Sequence, residues 1–295
     1  MTTKIVFLPI IILLNTALLQ AQSDKIKPIK YVKVSSVYAQ IGAMPLLPNT
    51  STVKEFDALA PQSELMKKIN NIVTNNNYFY VHLGTSFSAL ASFKFANKNK
   101  TGYKENREFR LGISSYHVFK KSMDANTQSA QRVDTIISSQ TGTRYIDSVT
   151  YKSYNLNYRN MQIRLDGAFI FRTNPASRWN LYGGIGLTFG ISINAHTTIT
   201  ENLYSSNQVT GTYNYSYQSI SNNPKTEIFN NKKSLNGSVY IPLGIDFRLG
   251  RSKEPWSKTH LYIELRPSLE FINIPELKTY IYDAVQASFG FRVRI

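Results

Sequence analysis

The chain has 295 residues, no cysteine and a formal net charge of +16 at pH 7, from 34 Lys and Arg against 18 Asp and Glu. The lack of cysteine excludes disulfide frameworks, Cys-bearing zinc sites, thiol catalysis and a lipid-modified N-terminal cysteine. At 42% hydrophobic residues a bundle of membrane helices is excluded too, and the basic balance asks for an anionic partner without naming one.

The first element in chain order is an address. Lys4 precedes an apolar run from Ile5 to Leu19, which Gln20-Ala21-Gln22 closes in a polar context. The run falls short of the ~20 apolar residues of a membrane span, so residues 1–21 read as a signal peptide cleaved after Ala21, leaving 22–295 as the mature domain. Export removes nucleic acid as the anionic partner, and no zinc-finger, RRM or helix-turn-helix pattern argues otherwise.

Next comes a period of two. Candidate strands run from Tyr31 to Gly42, Tyr78 to Ala96, Glu105 to Lys121, Met161 to Arg172, Trp179 to Asn194, Leu235 to Leu249, Thr259 to Phe271 and Tyr280 to Ile295. In the clearest of them Trp179, Leu181, Ile185, Leu187, Phe189, Ile191 and Ile193 alternate with Asn180, Tyr182, Gly184, Gly186, Thr188, Gly190, Ser192 and Asn194. A helical period of 3.6 cannot hold such alternation. One phase is expected throughout, with odd positions apolar and even positions polar.

The even face carries Lys94, Glu108, Arg110, Arg164, Asp166, Arg172, Asp246, Arg248, Glu264, Arg266, Glu270, Arg292 and Arg294, interleaved with Gly184, Gly186, Gly190, Gly244 and Gly290. Glycine weakens a strand, so this run suits the crowded concave side of a narrow barrel, with the large apolar side chains turned to lipid. The gaps between strands alternate long and short, as external loops and periplasmic turns do. The expected fold is all-β: an eight-stranded antiparallel transmembrane β-barrel with both termini periplasmic.

Three stretches depart from it. A helical insert at about 52–73 opens at Thr52 with Glu55 as a capping box, places Val53, Phe56 and Leu59 on one face, and continues from Pro61 in the first turn of a second helix with Leu65, Met66, Ile69 and Ile72. It reads as a cap on a barrel mouth, or as a partner-binding element. Residues 122–143 and 195–234 read as long external loops. Within and beyond the first of them, Arg132 to Val149 has hairpin character around Thr141-Gly142. Its returning strand either protrudes far above a membrane or breaks near Asn155–Asn160.

Two stretches, Trp179-Asn180-Leu181-Tyr182-Gly183-Gly184-Ile185-Gly186 and the terminal Phe289-Gly290-Phe291-Arg292-Val293-Arg294-Ile295, resemble small bacterial outer-membrane β-barrel proteins of the PorT-like type. The resemblance covers about Tyr31 to Ile295 and implies the outer membrane of a Gram-negative bacterium. It also implies the barrel-assembly machinery as a partner during biogenesis, which in such proteins commonly reads a terminal aromatic; here the last residue is Ile295.

No catalytic, metal or cofactor motif stands out. His82 and His260 fall on the even face, and His196 begins a loop. Ser115 and His117 share the odd face with no acid placed beside them, which leaves a lipid-modifying hydrolase as a weak third reading. Gly183 to Gly186 lies in mid-strand, unlike a phosphate loop. An eight-stranded barrel is just wide enough to be filled by side chains. Arg110, Arg164, Asp166, Arg172, Asp246, Arg248, Glu264, Arg266, Glu270, Arg292 and Arg294 are therefore expected to form an internal ion network that closes it. The expected function is non-enzymatic, acting through external loops on a surface or protein partner. The alternative is a narrow anion-preferring channel. Lys67-Lys68, Lys120-Lys121 and Lys232-Lys233 would meet outer-membrane lipid and lipopolysaccharide.

Overall fold

The computed structural model describes residues 32–46, 51–69, 82–95, 106–138, 142–174, 177–210, 220–221 and 223–295. The expected leader at 1–21, Ile72 and the turn residue Thr141 lie outside the described residues. The strands are β1 (Val32–Leu46), β2 (His82–Phe95), β3 (Arg107–Ser138), β4 (Gly142–Arg172), β5 (Trp179–Thr210), β6 (Ile220–Ser221), β7 (Lys225–Asn230), β8 (Leu235–Tyr240), β9 (Leu243–Arg248), β10 (Thr259–Asn273) and β11 (Thr279–Arg294). Two short helices, α1 (Val53–Leu59) and α2 (Glu64–Ile69), lie between β1 and β2.

Every strand pair is antiparallel, and the order β1-β2-β3-β4-β5 continues through β8 and β9 to β10, then β11, then back to β1. The first and last strands close the ring in register, with Val37 opposite Val293 and Ile41 opposite Phe289. β8 and β9 share one place between β5 and β10, so the closed ring has eight members. The single strand expected from 235 to 249 is interrupted because Pro242 has no N–H to give to a ladder.

Alternation dictates the wall. Below the level of Asn160, large apolar side chains point out of the ring, with Ile185, Leu187 and Phe189 each more than half exposed, while most even positions point in and are buried. The glycines of the inner face make room for rings on the next strand. Gly186 stands opposite Tyr240, Gly244 opposite Tyr182 and Gly290 opposite Tyr262, and a Cβ on Gly186 or Gly244 would overlap the facing ring.

The phase, expected to be constant, changes. On β3 the buried positions switch from Glu108, Arg110, Ser114 and Tyr116 to Lys121, Met123 and Ala125 across a bulge between His117 and Phe119. On β5 they switch from Thr188 and Ser192 to Ala195, Thr197 and Ile199 across Asn194, which has a φ of 54°. A bulge inserts an unpaired residue and turns the following side chains over. β4, between them, keeps its even positions inward from Tyr154 to Arg172, and its composition switches instead: Tyr154, Leu156 and Tyr158 line the inside above, Gln162, Arg164 and Asp166 below.

Beyond that level β3, β4 and β5 run on as a blade. The 31 residues of β4 span roughly 100 Å at the rise of a strand. β4 therefore does not break near Asn155–Asn160 but continues past the bulges of its neighbours. The expected loops at 122–143 and 195–234 are largely strand, with β6 and β7 pairing on β5. Their polar residues hid this, because a strand that is solvated on both faces, as from Asn126 to Thr135, lacks an apolar period.

The helices fill the ring where it begins to extend. Thr52 accepts from the Glu55 backbone N–H (3.3 Å) while the Glu55 carboxylate accepts from the Thr52 N–H (3.1 Å), closing the capping box. α2 starts at Glu64 rather than at Pro61, because the Ser63 hydroxyl caps it by accepting from the Met66 N–H (3.0 Å) and leaves Pro61 in the turn. Phe56, Leu59, Leu65, Met66 and Ile69 are buried against Met123, Tyr154, Leu156, Ile199 and Ile272. Each such side chain contributes about 1.5–3 kcal/mol by leaving water.

Candidate functional site

The candidate site is the interior of the ring below the bulges. It is built from strand ends that the ring closure brings face to face. Asp246 of β9 accepts from Arg172 Nη1 of β4 (3.0 Å) and Arg292 Nη1 of β11 (2.6 Å), both on Oδ2. His260 of β10 approaches its other oxygen, Nδ1 to Oδ1 at 2.5 Å. Arg172 also donates to Glu108 Oε1 (2.7 Å) and to the Asn180 side-chain oxygen (3.0 Å). Arg110 Nη1 donates to Glu264 Oε2 (2.6 Å), and Arg266 joins Glu264 to Asp166 (Nη1 to Oδ2, 2.9 Å). Arg164 pairs with Glu270 (2.6 Å) and donates to Gln162.

All of these groups are buried. The tyrosines complete the packing. The Arg110 guanidinium lies 4.8 Å from the ring centroids of both Tyr38 and Tyr182, and Arg266 lies 4.8 Å from that of Tyr240. Tyr38 donates to Glu108 (2.7 Å), and Tyr240 donates to Asp166. Removing charges from water costs several kcal/mol per ion, which only dense pairing of this kind offsets.

Of the residues singled out from the alternation, Arg110, Arg164, Asp166, Arg172, Asp246, Glu264, Arg266, Glu270 and Arg292 come together here. Arg248 and Arg294, the last residues of β9 and β11, are half-buried, and Arg248 is the cross-strand partner of His260. Tyr38, Tyr182 and Tyr240 were not singled out as site residues, although each shares the even parity of the arginines. The side chains of His82 and His117 lie outside the described residues. Among the described residues no group of three or more His, Asp or Glu is placed to hold a metal ion.

Above this centre the helices are tied down by a second, smaller set. Lys121 Nζ donates to Glu55 Oε2 (3.0 Å) and to the Tyr280 hydroxyl (3.1 Å), and Tyr280 donates to Glu55 Oε1 (2.7 Å). Burial pushes the Glu55 carboxyl up, but the Tyr280 and Lys121 hydrogen bonds outweigh it and hold the group below its ordinary value. Burial pushes the Lys121 ammonium down, and Glu55 only partly restores it. On the other side Glu201 accepts from Tyr154 (2.9 Å) and Lys68 (3.4 Å), while Ser63 donates to Glu227 and Asn231 to the Leu59 carbonyl (2.7 Å).

The exterior below the bulges is apolar. On β5 it runs from Trp179 to Ile191, about 40 Å along the strand and ~30 Å along the ring axis at a tilt of ~40°. No helix of the described residues is long and apolar enough to cross a membrane, which says nothing of strands.

No family model matches the chain, and no curated protein does. Among solved structures it is similar to Neisserial surface protein A (NspA), at 9% identity and a TM-score of 0.31 over 90% of this chain and 100% of that one. It is also similar to Ail, the attachment invasion locus protein of Yersinia pestis, at 10% identity and a TM-score of 0.22 over 89% and 100%. A third is OprB of Pseudomonas putida, at 7% identity and a TM-score of 0.16 over 96% of each chain. The overlaps are loose, and no residue role follows from them.

Proposed function

We propose that the chain is an eight-stranded transmembrane β-barrel of a Gram-negative outer membrane, exported by its leader, closed to diffusion, and displaying the β3–β5 blade outside the cell. One observation carries this reading. The wall is apolar outside and charged inside over ~30 Å, then inverts on three adjacent strands at one level. Inversion is the pattern of a wall passing from lipid into water. The paired arginines fill the lower interior, and α1 and α2 fill the part above it. Both support a non-enzymatic role carried by the displayed surface, with a protein or surface partner at the blade. The PorT-like resemblance, contact with lipopolysaccharide and handling by the assembly machinery belong to the same reading.

Two measurements test it. The purified protein should migrate differently on SDS gels before and after boiling, and recovery in a soluble, membrane-free fraction would refute the barrel. In planar bilayers the intact protein should show no steady single-channel steps. Anion-preferring steps would replace the closed reading with a narrow channel.

A further inference from the structure

The outer surface of the blade carries a row of bases where the apolar wall ends. Lys120 on β3 is the cross-strand partner of Arg159 on β4, and Arg159 is the partner of His196 on β5. All three belong to the outer face: the positions flanking them, Lys121, Tyr158, Asn160, Ala195 and Thr197, are buried inward. Like charges set directly opposite one another on a sheet are unfavourable. Burial, and next the charge of Arg159, push the Lys120 ammonium below its ordinary value, while Asp124 further along the face opposes this. Among the described residues no ion pair joins Lys120 or Arg159 to a carboxylate.

His196 is held in a defined pose. Its Nδ1 donates to the Asn194 carbonyl (3.0 Å), because a carbonyl can only accept, and this leaves Nε2 as the acceptor of the ring, able to take a hydrogen bond from the P–OH of a phosphate. The pose depends on the bulge, since Asn194 is the residue with positive φ. Two residues below Arg159 stands Met161, and below that come Ile163 and Leu165, exposed to 40% and 62%. The row is thus ~7 Å from the first side chain of the apolar wall, the depth at which lipid phosphates lie.

We propose that Lys120, Arg159 and His196 form a docking site for the phosphate of an anionic lipid headgroup in the outer leaflet. The site rests on the membrane placement argued above. A phosphate seated there would relieve the repulsion between Lys120 and Arg159, and its acyl chains would run down over Met161 and Ile163. A free phosphate has no such second contact, so the lipid is the committed occupant.

The test uses the full mature protein in phosphatidylcholine vesicles with and without phosphatidic acid, and in detergent with inorganic phosphate. Binding of phosphatidic acid is counted by native mass spectrometry, and the unfolding midpoint is read by gel shift. Phosphatidic acid should bind and raise the midpoint, and inorganic phosphate at equal concentration should not. The triple variant Lys120→Gln, Arg159→Gln, His196→Gln should lose about tenfold or more in affinity for phosphatidic acid. Its midpoint in phosphatidylcholine alone should not fall. Lys253→Gln, an exposed base in the turn between β9 and β10, serves as the control and should bind as the parent does. Equal binding by the triple variant, or equal protection by inorganic phosphate, overturns the site. Failure of the parent to insert into phosphatidylcholine vesicles overturns the membrane placement instead.

Discussion

Asn160 on β4 stands opposite a bulge at Asn194 and Ala195 on β5, at the level where the interior changes from charged to apolar; the pairing runs from Met161 opposite Ile193 to Arg159 opposite His196. Three residues on one strand thus oppose four on the other. Asn194 absorbs the extra residue at a φ of 54°, a left-handed conformation that asparagine tolerates better than most side chains. Asn160 meanwhile donates inward to the Tyr158 hydroxyl (3.1 Å) and to Ser234 (3.4 Å), binding the level together.

Asn194→Gly should leave stability nearly unchanged, since glycine enters that region freely. Asn194→Val should cost roughly 1–2 kcal/mol, because a β-branched residue is strained there. Urea unfolding followed by gel shift would measure both. A valine variant as stable as the parent would mean that the bulge does not require the left-handed residue.

The packing of Gly186 under Tyr240 yields a second expectation. Gly186→Leu should destabilise by about 1–3 kcal/mol through overpacking. Combined with Tyr240→Ala, the same leucine should cost less than it does alone, since the ring that blocks it is gone. Strictly additive losses in the double-mutant cycle would count against ring and glycine being a packed pair.

Asp246 serves Arg172, Arg292 and His260 together. Asp246→Asn leaves two guanidinium groups short of their counter-charge in a buried site and should cost about 3–5 kcal/mol. Asp147→Asn, which breaks the pair with the exposed Arg132 on the blade, should cost no more than ~1 kcal/mol. Comparing the two unfolding midpoints separates an interior held by its ions from one held by the backbone ladder alone.

Legibility in the sequence followed contrast between faces. Trp179 to Ile193 could be read because large apolar residues oppose glycine, asparagine and threonine, and the same contrast placed Arg110, Arg172, Asp246 and Arg292 on one face. It vanished in Asn126 to Thr135, where both faces are solvated and strand looks like loop. A one-residue bulge leaves no mark on odd-even parity. Met123 and Ala125 therefore kept the parity of Leu111 and Ile113 while turning to the opposite side of the wall. Pro242 was visible, but whether a proline ends a strand or only interrupts its ladder depends on the neighbours it finds.

The seal at the upper end of the ring should open in acid. Glu55 joins α1 to Lys121 and Tyr280, and its carboxyl is held below the ordinary value of 4.5 in the docked state. A group whose value is depressed on docking stabilises the docked state above its free value, and that stabilisation is lost as pH falls through the lowered one. Lys121 has the opposite sign. Its charged form is disfavoured in place, so docking gains from it only as pH rises from the lowered value toward the ordinary 10.5. Between neutrality and strong acid Glu55 governs the trend at α1. Glu201, which burial pushes up but the Tyr154 and Lys68 hydrogen bonds hold below its ordinary value, acts in the same direction at α2. Hydrogen-exchange protection at Phe56 and Leu59, taken relative to the intrinsic rate at each pH, should therefore fall below about pH 4.5 while the gel shift of the ring persists. Glu55→Gln should weaken docking by about 1 kcal/mol at neutral pH and flatten this acid limb. Protection in α1 that stayed constant down to the loss of the whole ring would show that the apolar contacts of Phe56, Leu59 and Met66 hold the helices without the carboxylate.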